Sequence, residues 1–248
     1  MDISASSTLH LNISLSHDSS SSIRIMTPNR QRTIYFGYGS NLWLHQMRQR
    51  CPTSKYLGTA RLKGYKWIIY DRGYANIVEL SEEQQQQQEE EEEKNAFDDK
   101  DDYSKEVWGL VYSLEPEDEQ RLDGNEGVAD GSYSKEWIQC EFWTASSERA
   151  VREDTAHTLS YAEEGKPDTS KKPGKANMLV YINRKNAREG KSKEEYVYRM
   201  NAGIRDALKE GVPREYVEQV LRKWIPDVED ESVQEVARRQ ALEFEDER

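Results

Sequence analysis

Two long polar stretches, at about 81–105 and 151–174, cut this chain into three blocks, 33–80, 106–150 and 175–228, each rich in strand-forming residues. The first block opens with β-branched and aromatic residues over 33–38, a predicted strand, and turns into a predicted helix from about 41 to 50 that stops near Pro52. KYLGTARLKGYKWIIYD and ANIVEL follow as strands. The second block gives the strand VWGLVYSL, a short helix opened by Pro116, and the strand SYSKEWIQCEFW. The third gives the strand ANMLVYIN and two helices. Ser192 with Glu195 has capping-box spacing at the start of the first, which should end near Gly211 and Pro213. The second should run from about Pro213 and bury Val217, Val220, Leu221 and Trp224.

Strands come in pairs and helices come late, with no regular strand–helix–strand repeat, which argues against a doubly wound parallel sheet. The pattern predicts an α+β fold, a single domain with a mixed small β-barrel and flanking helices. The polar stretches are tolerable as long loops because closure cost rises slowly with length.

Charge supports the same division. Residues 81–102 hold eleven acids and two lysines, and residues 227–248 hold nine acids and three arginines, so the net charge of -12 leaves +3 for the remainder. The whole chain has a mean hydropathy of -1.00, and segments this acidic are too polar to bury. We therefore expect a Ser-rich disordered tail over 1–32, a domain over 33–228 with disordered inserts at about 81–105 and 151–174, and an acidic tail over 229–248. No basic cluster suggests nucleic-acid binding. No run of 18 apolar residues suggests a membrane span, and the N-terminus lacks the basic start and apolar core of a signal peptide. Cys51 and Cys140 read as buried free thiols in a reducing, cytoplasmic setting. His10, His17, His45 and His157 have no ligand spacing, so no metal is expected.

Three features carry possible chemistry. The first is Gly37-Tyr38-Gly39-Ser40-Asn41, at a strand-to-helix turn where glycines let backbone N–H groups approach a ligand closely. It lacks the Lys-Ser/Thr ending of a phosphate loop and the third glycine of a dinucleotide fingerprint, and by itself signals only a tight turn. The second is RLDGNEGV, residues 121–128, where Gly124 and Gly127 permit a bend that aims Glu126 inward. In an apolar cleft that carboxylate would be a general base. The third is a set of tyrosines in the same blocks, Tyr35, Tyr38, Tyr133, Tyr181, Tyr196 and Tyr198, among which spacing does not choose.

YFGYGSNL followed by ARLKGYKW, VWGLVYSL, LDGNEGV and SY, with EYVYRMNAGIRDALKEGVPREY in the C-terminal part, resembles the γ-glutamylcyclotransferase family. The tracts of Gln and Glu add the look of a eukaryotic, fungal relative. The resemblance implies a substrate cavity inside a mixed barrel, lined by Tyr35, Phe36, Gly37, Tyr38, Gly39, Ser40 and Asn41, with Glu126 as the base. It also implies substrate contacts from Tyr196 and Tyr133. Relatives often carry alanine in place of Gly37 and a segment like LDEQEGV in place of LDGNEGV.

The implied reaction is an intramolecular aminolysis that closes a γ-glutamyl group to 5-oxoproline and releases an amine, without cofactor. The implied partner is a small γ-glutamyl substrate, with homodimer formation left open. Activity on γ-glutamyl amines, on glutathione or its adducts, and a non-catalytic interaction role on the same fold are the alternatives. The YGSN form, rather than YGSL, leans away from the glutathione-specific group.

Overall fold

The computed structural model describes residues 32–84, 102–150, 166–228 and 235, with backbone alone for 146–150. The expected tail over 1–32 (except Arg32), most of both inserts and the C-terminal tail (except residue 235) lie outside the described residues.

Strands β1 (Thr33–Gly37), β2 (Lys55–Lys63), β5 (Glu106–Leu114), β6 (Ser134–Ala150) and β7 (Gly174–Ile182) close into a barrel in the order β1-β5-β2-β6-β7. All neighbours are antiparallel except β7 and β1, which meet in parallel where Tyr35 faces Leu179. A mixed barrel is therefore what forms. β5 is buried along its whole length, as its apolar sequence and two flanking strands require. The register of β2 slips between Tyr56 and Gly58, a bulge that bends the strand around the barrel.

KYLGTARLKGYKWIIYD is not one continuous strand. It breaks at Gly64, and β3 (Tyr65–Ile69) leaves the barrel to pair with β4 (Ala75–Glu79) in a separate two-stranded sheet. Trp67 of β3 ties this sheet to the barrel, its Nε1 donating to the Tyr38 carbonyl at 3.0 Å.

The helix expected over 41–50 is two pieces, a 3-10 turn at Ser40–Leu42 and α1 at Leu44–Arg50. α2 (Pro116–Asn125) begins at Pro116 as expected. α3 (Glu194–Lys209) has no side-chain cap, because the Ser192 hydroxyl is drawn away to the Trp224 carbonyl at 2.6 Å. The capping-box expectation fails on that tertiary contact. α4 (Arg214–Gln219) is followed by a 3-10 turn at Leu221–Lys223. Val217, Val220 and Leu221 are buried, while Trp224 is partly so. Cys51 and Cys140 are both free and buried, and burial pushes both thiol pKa values up.

Candidate active site

The turn after β1 and the end of α2 meet at one end of the barrel. β1 delivers Tyr35 to the barrel interior, and the chain then doubles back through Gly39 into the 3-10 turn. A Cβ at Gly39 would lie 3.0 Å from the Tyr196 hydroxyl and 3.2 Å from the Ala75 Cβ, so this close approach depends on glycine.

Glu126 is placed by a helix end rather than by a flexible loop. It is the C-terminal cap of α2, with its N–H bonded to the Leu122 carbonyl. Gly127 follows with φ +58°; its N–H donates to Gly124 O and Val128 N–H to Asp123 O. These are the two hydrogen bonds of a Schellman motif, which needs the left-handed conformation that glycine takes freely. Gly124 has open space around it and does not supply the bend. The half-buried Glu126 carboxylate therefore sits at the negative end of a helix, where the dipole works against its charge.

Asn41 links the two segments. Its Oδ1 accepts from Gln46 Nε2 at 2.9 Å and Arg50 Nη1 at 3.3 Å. Because both partners can only donate there, the Asn41 amide nitrogen must face the other way. It donates to the Tyr35 hydroxyl at 2.8 Å and to Glu126 Oε1 at 3.4 Å. Gln46 also donates to Ser40 Oγ at 2.8 Å and accepts from Arg199 at 3.5 Å. Gln46, Arg50 and Arg199 are all buried, so a polar network backs the turn.

Around Glu126 the walls close into a cavity of about 40 Å³. Tyr35, Tyr38, Gly39, Ser40, Asn41, Tyr133 and Tyr196 line it with Glu126, so eight of the ten residues named from sequence come together. Phe36 and Gly37 are not in the lining. Phe36 is fully buried, and strand alternation turns it to the face opposite Tyr35. Gly37 lies just behind, where a Cβ would meet Asn41 at 3.3 Å and Tyr35 at 3.4 Å.

Four lining residues, Arg50, Tyr74, Ala75 and Tyr181, were not assigned to the site from sequence. Arg50 ends α1 and reads as an ordinary solvated helix-end charge, yet it is buried. Ala75 opens β4 and Tyr74 lies in the β3–β4 connection just before it, and no local pattern links either to the turn. Tyr181 stood in the tyrosine set without a distinguishing signal.

The ring is polar yet mostly neutral. Burial first, then the charge of Glu126, holds the phenol protons of Tyr35 and Tyr38 well above the usual range. Burial does the same for Tyr133 and Tyr181. Several of these protons are already committed: Tyr38 donates to Tyr181 O at 2.6 Å, Tyr133 to Ala75 O at 2.8 Å, and Tyr181 to Asp123 Oδ1 at 2.7 Å. Among the lining residues Glu126 is the only acid and Arg50 the only cation. A larger groove of about 600 Å³ lies elsewhere, between the Gly190–Glu194 segment and Trp224–Val228, and contains none of these residues. Among the described residues no group of His, Cys, Asp and Glu could hold a metal ion, and no helix is long and apolar enough to cross a membrane.

The AIG2-like family model matches residues 106–220, which include Glu126, Tyr133 and Tyr196 but not the turn at 37–41. A gamma-glutamylcyclotransferase from Homo sapiens is 26% identical over 106 residues, covering 43% of this chain and 50% of that protein. One from Bos taurus is 29% identical over 100 residues, covering 40% and 47%. The chain thus spans about half the length of these curated relatives. Among solved structures, an uncharacterized protein from Homo sapiens superposes with a TM-score of 0.54 at 18% identity, covering 84% of this chain and 98% of that one. A solved gamma-glutamyl cyclotransferase superposes with a TM-score of 0.53 at 18% identity, covering 84% and 99%. At these identities the superpositions show a shared fold.

Proposed function

We propose that this chain is a γ-glutamylcyclotransferase-family protein whose cavity binds a γ-glutamyl group and closes it to 5-oxoproline, releasing the attached amino acid. The observation that carries the reading is the pairing of one carboxylate with one guanidinium, Glu126 and Arg50, in a cavity otherwise lined by neutral groups. A free α-amino-acid head presents an ammonium and a carboxylate, and these two side chains complement it.

In the proposed reaction Glu126 takes a proton from the α-ammonium, whose reference pKa is about 8. The freed nitrogen attacks its own γ-carbonyl carbon and forms a five-membered lactam. Holding that near-attack conformer is worth about 7–11 kcal/mol. Asn41 orients the base through its 3.4 Å contact. The backbone N–H of Ser40 is already given to the Tyr196 hydroxyl at 3.2 Å, which favours Arg50 over that N–H as the carboxylate partner.

The acyl group is the part to which Glu126 and Arg50 answer. Purified protein incubated separately with γ-glutamyl-alanine, glutathione and γ-glutamyl-lysine should release 5-oxoproline fastest from γ-glutamyl-alanine. Release from none of the three would end the enzymatic reading and favour an interaction role for the fold.

A further inference from the structure

Tyr181 joins the cavity from β7, and what its hydroxyl does there is set from outside the cavity. Its Oη donates to Asp123 Oδ1 at 2.7 Å. The other oxygen of Asp123 is held by Lys135 Nζ at 3.0 Å, and Lys135 also bonds Glu119. A carboxylate only accepts, so this contact draws the phenol proton away from the cavity and leaves the oxygen lone pairs for other donors. Burial first, then the bond to Asp123, holds that proton well above the usual phenol range.

Asp123 also fixes where the oxygen lies. Asp123 and Glu126 are three residues apart on one stripe of α2, about 4.5 Å along its axis, so a phenol oxygen bonded to the first stands beside the second. Tyr181 and Glu126 both line the cavity. Tyr35 packs edge-on against the Tyr181 ring at 5.8 Å and sets its plane. The neighbouring phenols follow the same rule. Tyr38 donates to the Tyr181 carbonyl and Tyr133 to the Ala75 carbonyl, so both spend their protons on the cavity wall. Around Glu126 these three hydroxyls therefore offer oxygen acceptors, an arrangement suited to a donor-rich cation.

We infer that Tyr181 is a specificity-determining residue that, with Glu126, seats the α-ammonium of the substrate, and that Asp123 is the positioning residue keeping the Tyr181 oxygen an acceptor. This rests on the cyclisation reading above and says which atom of the γ-glutamyl head the cavity selects. An ammonium has three N–H donors. Glu126 accepts one, the proton it later removes, and Tyr181 Oη accepts a second. After the first proton has left, the amine still donates to Tyr181, so the nitrogen stays in place while its lone pair turns to the γ-carbonyl carbon. A head without an amine leaves both acceptors desolvated and without a donor, which costs affinity.

The test is a cycle of two proteins and two ligands. γ-Glutamyl-alanine carries the ammonium. Glutaryl-alanine has hydrogen in its place and keeps the terminal carboxylate, the acyl chain and the alanine. With full-length protein, KM is measured for the first and the competitive inhibition constant for the second. Tyr181→Phe keeps the ring and its packing. It should raise KM for γ-glutamyl-alanine about tenfold or more, the size of a lost hydrogen bond to a charged group, and shift the glutaryl-alanine constant by under about twofold. Equal losses on both ligands would overturn the inference and leave Tyr181 as cavity wall alone. So would a fall in kcat with KM unchanged, or no change with either ligand. Asp123→Ala is the second variant. It leaves the Tyr181 hydroxyl in place but frees its proton to turn inward, where it opposes an ammonium. The same ligand-selective loss should appear, while Asp123→Asn, which keeps an acceptor, should hold KM within about threefold of wild type. An unchanged KM in Asp123→Ala would overturn the positioning role. A wild-type protein that releases no 5-oxoproline from γ-glutamyl-alanine refutes the cyclisation reading and this inference with it, an outcome distinct from all of these.

Discussion

Along α2 and its end, three acids stand at 119, 123 and 126, spacings of four and three that place them on one stripe of the helix. Glu119 and Asp123 both meet Lys135 of β6, the second at 3.0 Å, and Glu119 also accepts from the Thr33 hydroxyl. Glu126 lies one turn further, beyond the reach shown for Lys135, and faces the cavity with Asn41 as its hydrogen-bond donor. The helical pattern treats the three alike. Their tertiary partners separate them: Lys135 holds two of them, and the third faces the cavity beside Asn41. Asp123 bridges the two situations, because its other oxygen accepts the hydroxyl of the cavity residue Tyr181.

The strongest way to break this contrast is Glu126→Gln. The amide keeps the size and can still accept from Asn41, but it takes no proton at neutral pH. Release of 5-oxoproline at saturating γ-glutamyl-alanine should fall by about 10²–10⁴-fold with the melting temperature nearly unchanged. Near wild-type kcat in a folded variant would remove Glu126 from the mechanism.

A fourth acid sharpens the point from the side of stability. Asp206 of α3 is buried and accepts the Leu44 N–H at 3.0 Å, capping α1 from another helix. Burial pushes its pKa up to about 6, above an unfolded value of about 3.9. The folded state therefore holds this proton more tightly, which adds stability below pH 4 that is lost as pH rises through about 6. Asp206→Asn keeps an acceptor for Leu44 and has no charge to bury. It should be more stable than wild type by about 1–3 kcal/mol at pH 8, and the gap should close by pH 4. Thermal melts at both pH values would check this, and a pH-independent gap would contradict it.

Smaller effects should follow along α2. Asp123→Asn still accepts from Tyr181 but loses its charge toward Lys135, so kcat should drop by roughly three- to tenfold, a change on the order of 1 kcal/mol. Glu119→Gln, further from the cavity, should change kcat by less than about twofold and stability by about 0–1 kcal/mol, the usual range for a partly exposed ion pair. If Glu119→Gln proved as damaging as Glu126→Gln, the division between the acids held by Lys135 and the cavity-facing acid would be wrong.

How much of this was legible in the sequence follows from the range of each interaction. The barrel strands carry their evidence locally, in runs such as VWGLVYSL, and so does the start of α2 at Pro116. The departure of β3 from the barrel is not local: one glycine marks it, and only the pairing with β4 explains it. Ser192 shows the same limit, since its cap spacing is sound and Trp224 nevertheless takes its hydroxyl. At the site, the glycine turn and Glu126 stand in recognisable segments. Tyr74 and Ala75 do not, because each joins the cavity through partners far away in the chain, and Arg50 does not, because nothing in its helix-end position marks it as buried. Ala75 is the clearest case: its contributions are a backbone N–H to Tyr196 and a carbonyl to Tyr133, which no side chain announces.

Gly64, where β2 gives way to β3, binds the chain on both sides of the acidic tract. Its carbonyl accepts the Leu80 N–H at 2.9 Å, and its own N–H donates to the Lys105 carbonyl at 3.0 Å. One residue thus gathers both ends of the intervening chain, so the gap to be spanned is the same whatever the number of residues that spans it. Doubling a loop closed at fixed ends costs only about 0.6 kcal/mol. Foreign sequence grafted between Leu80 and Lys105 should therefore leave the barrel folded, an expectation that thermal melts of such a graft would check.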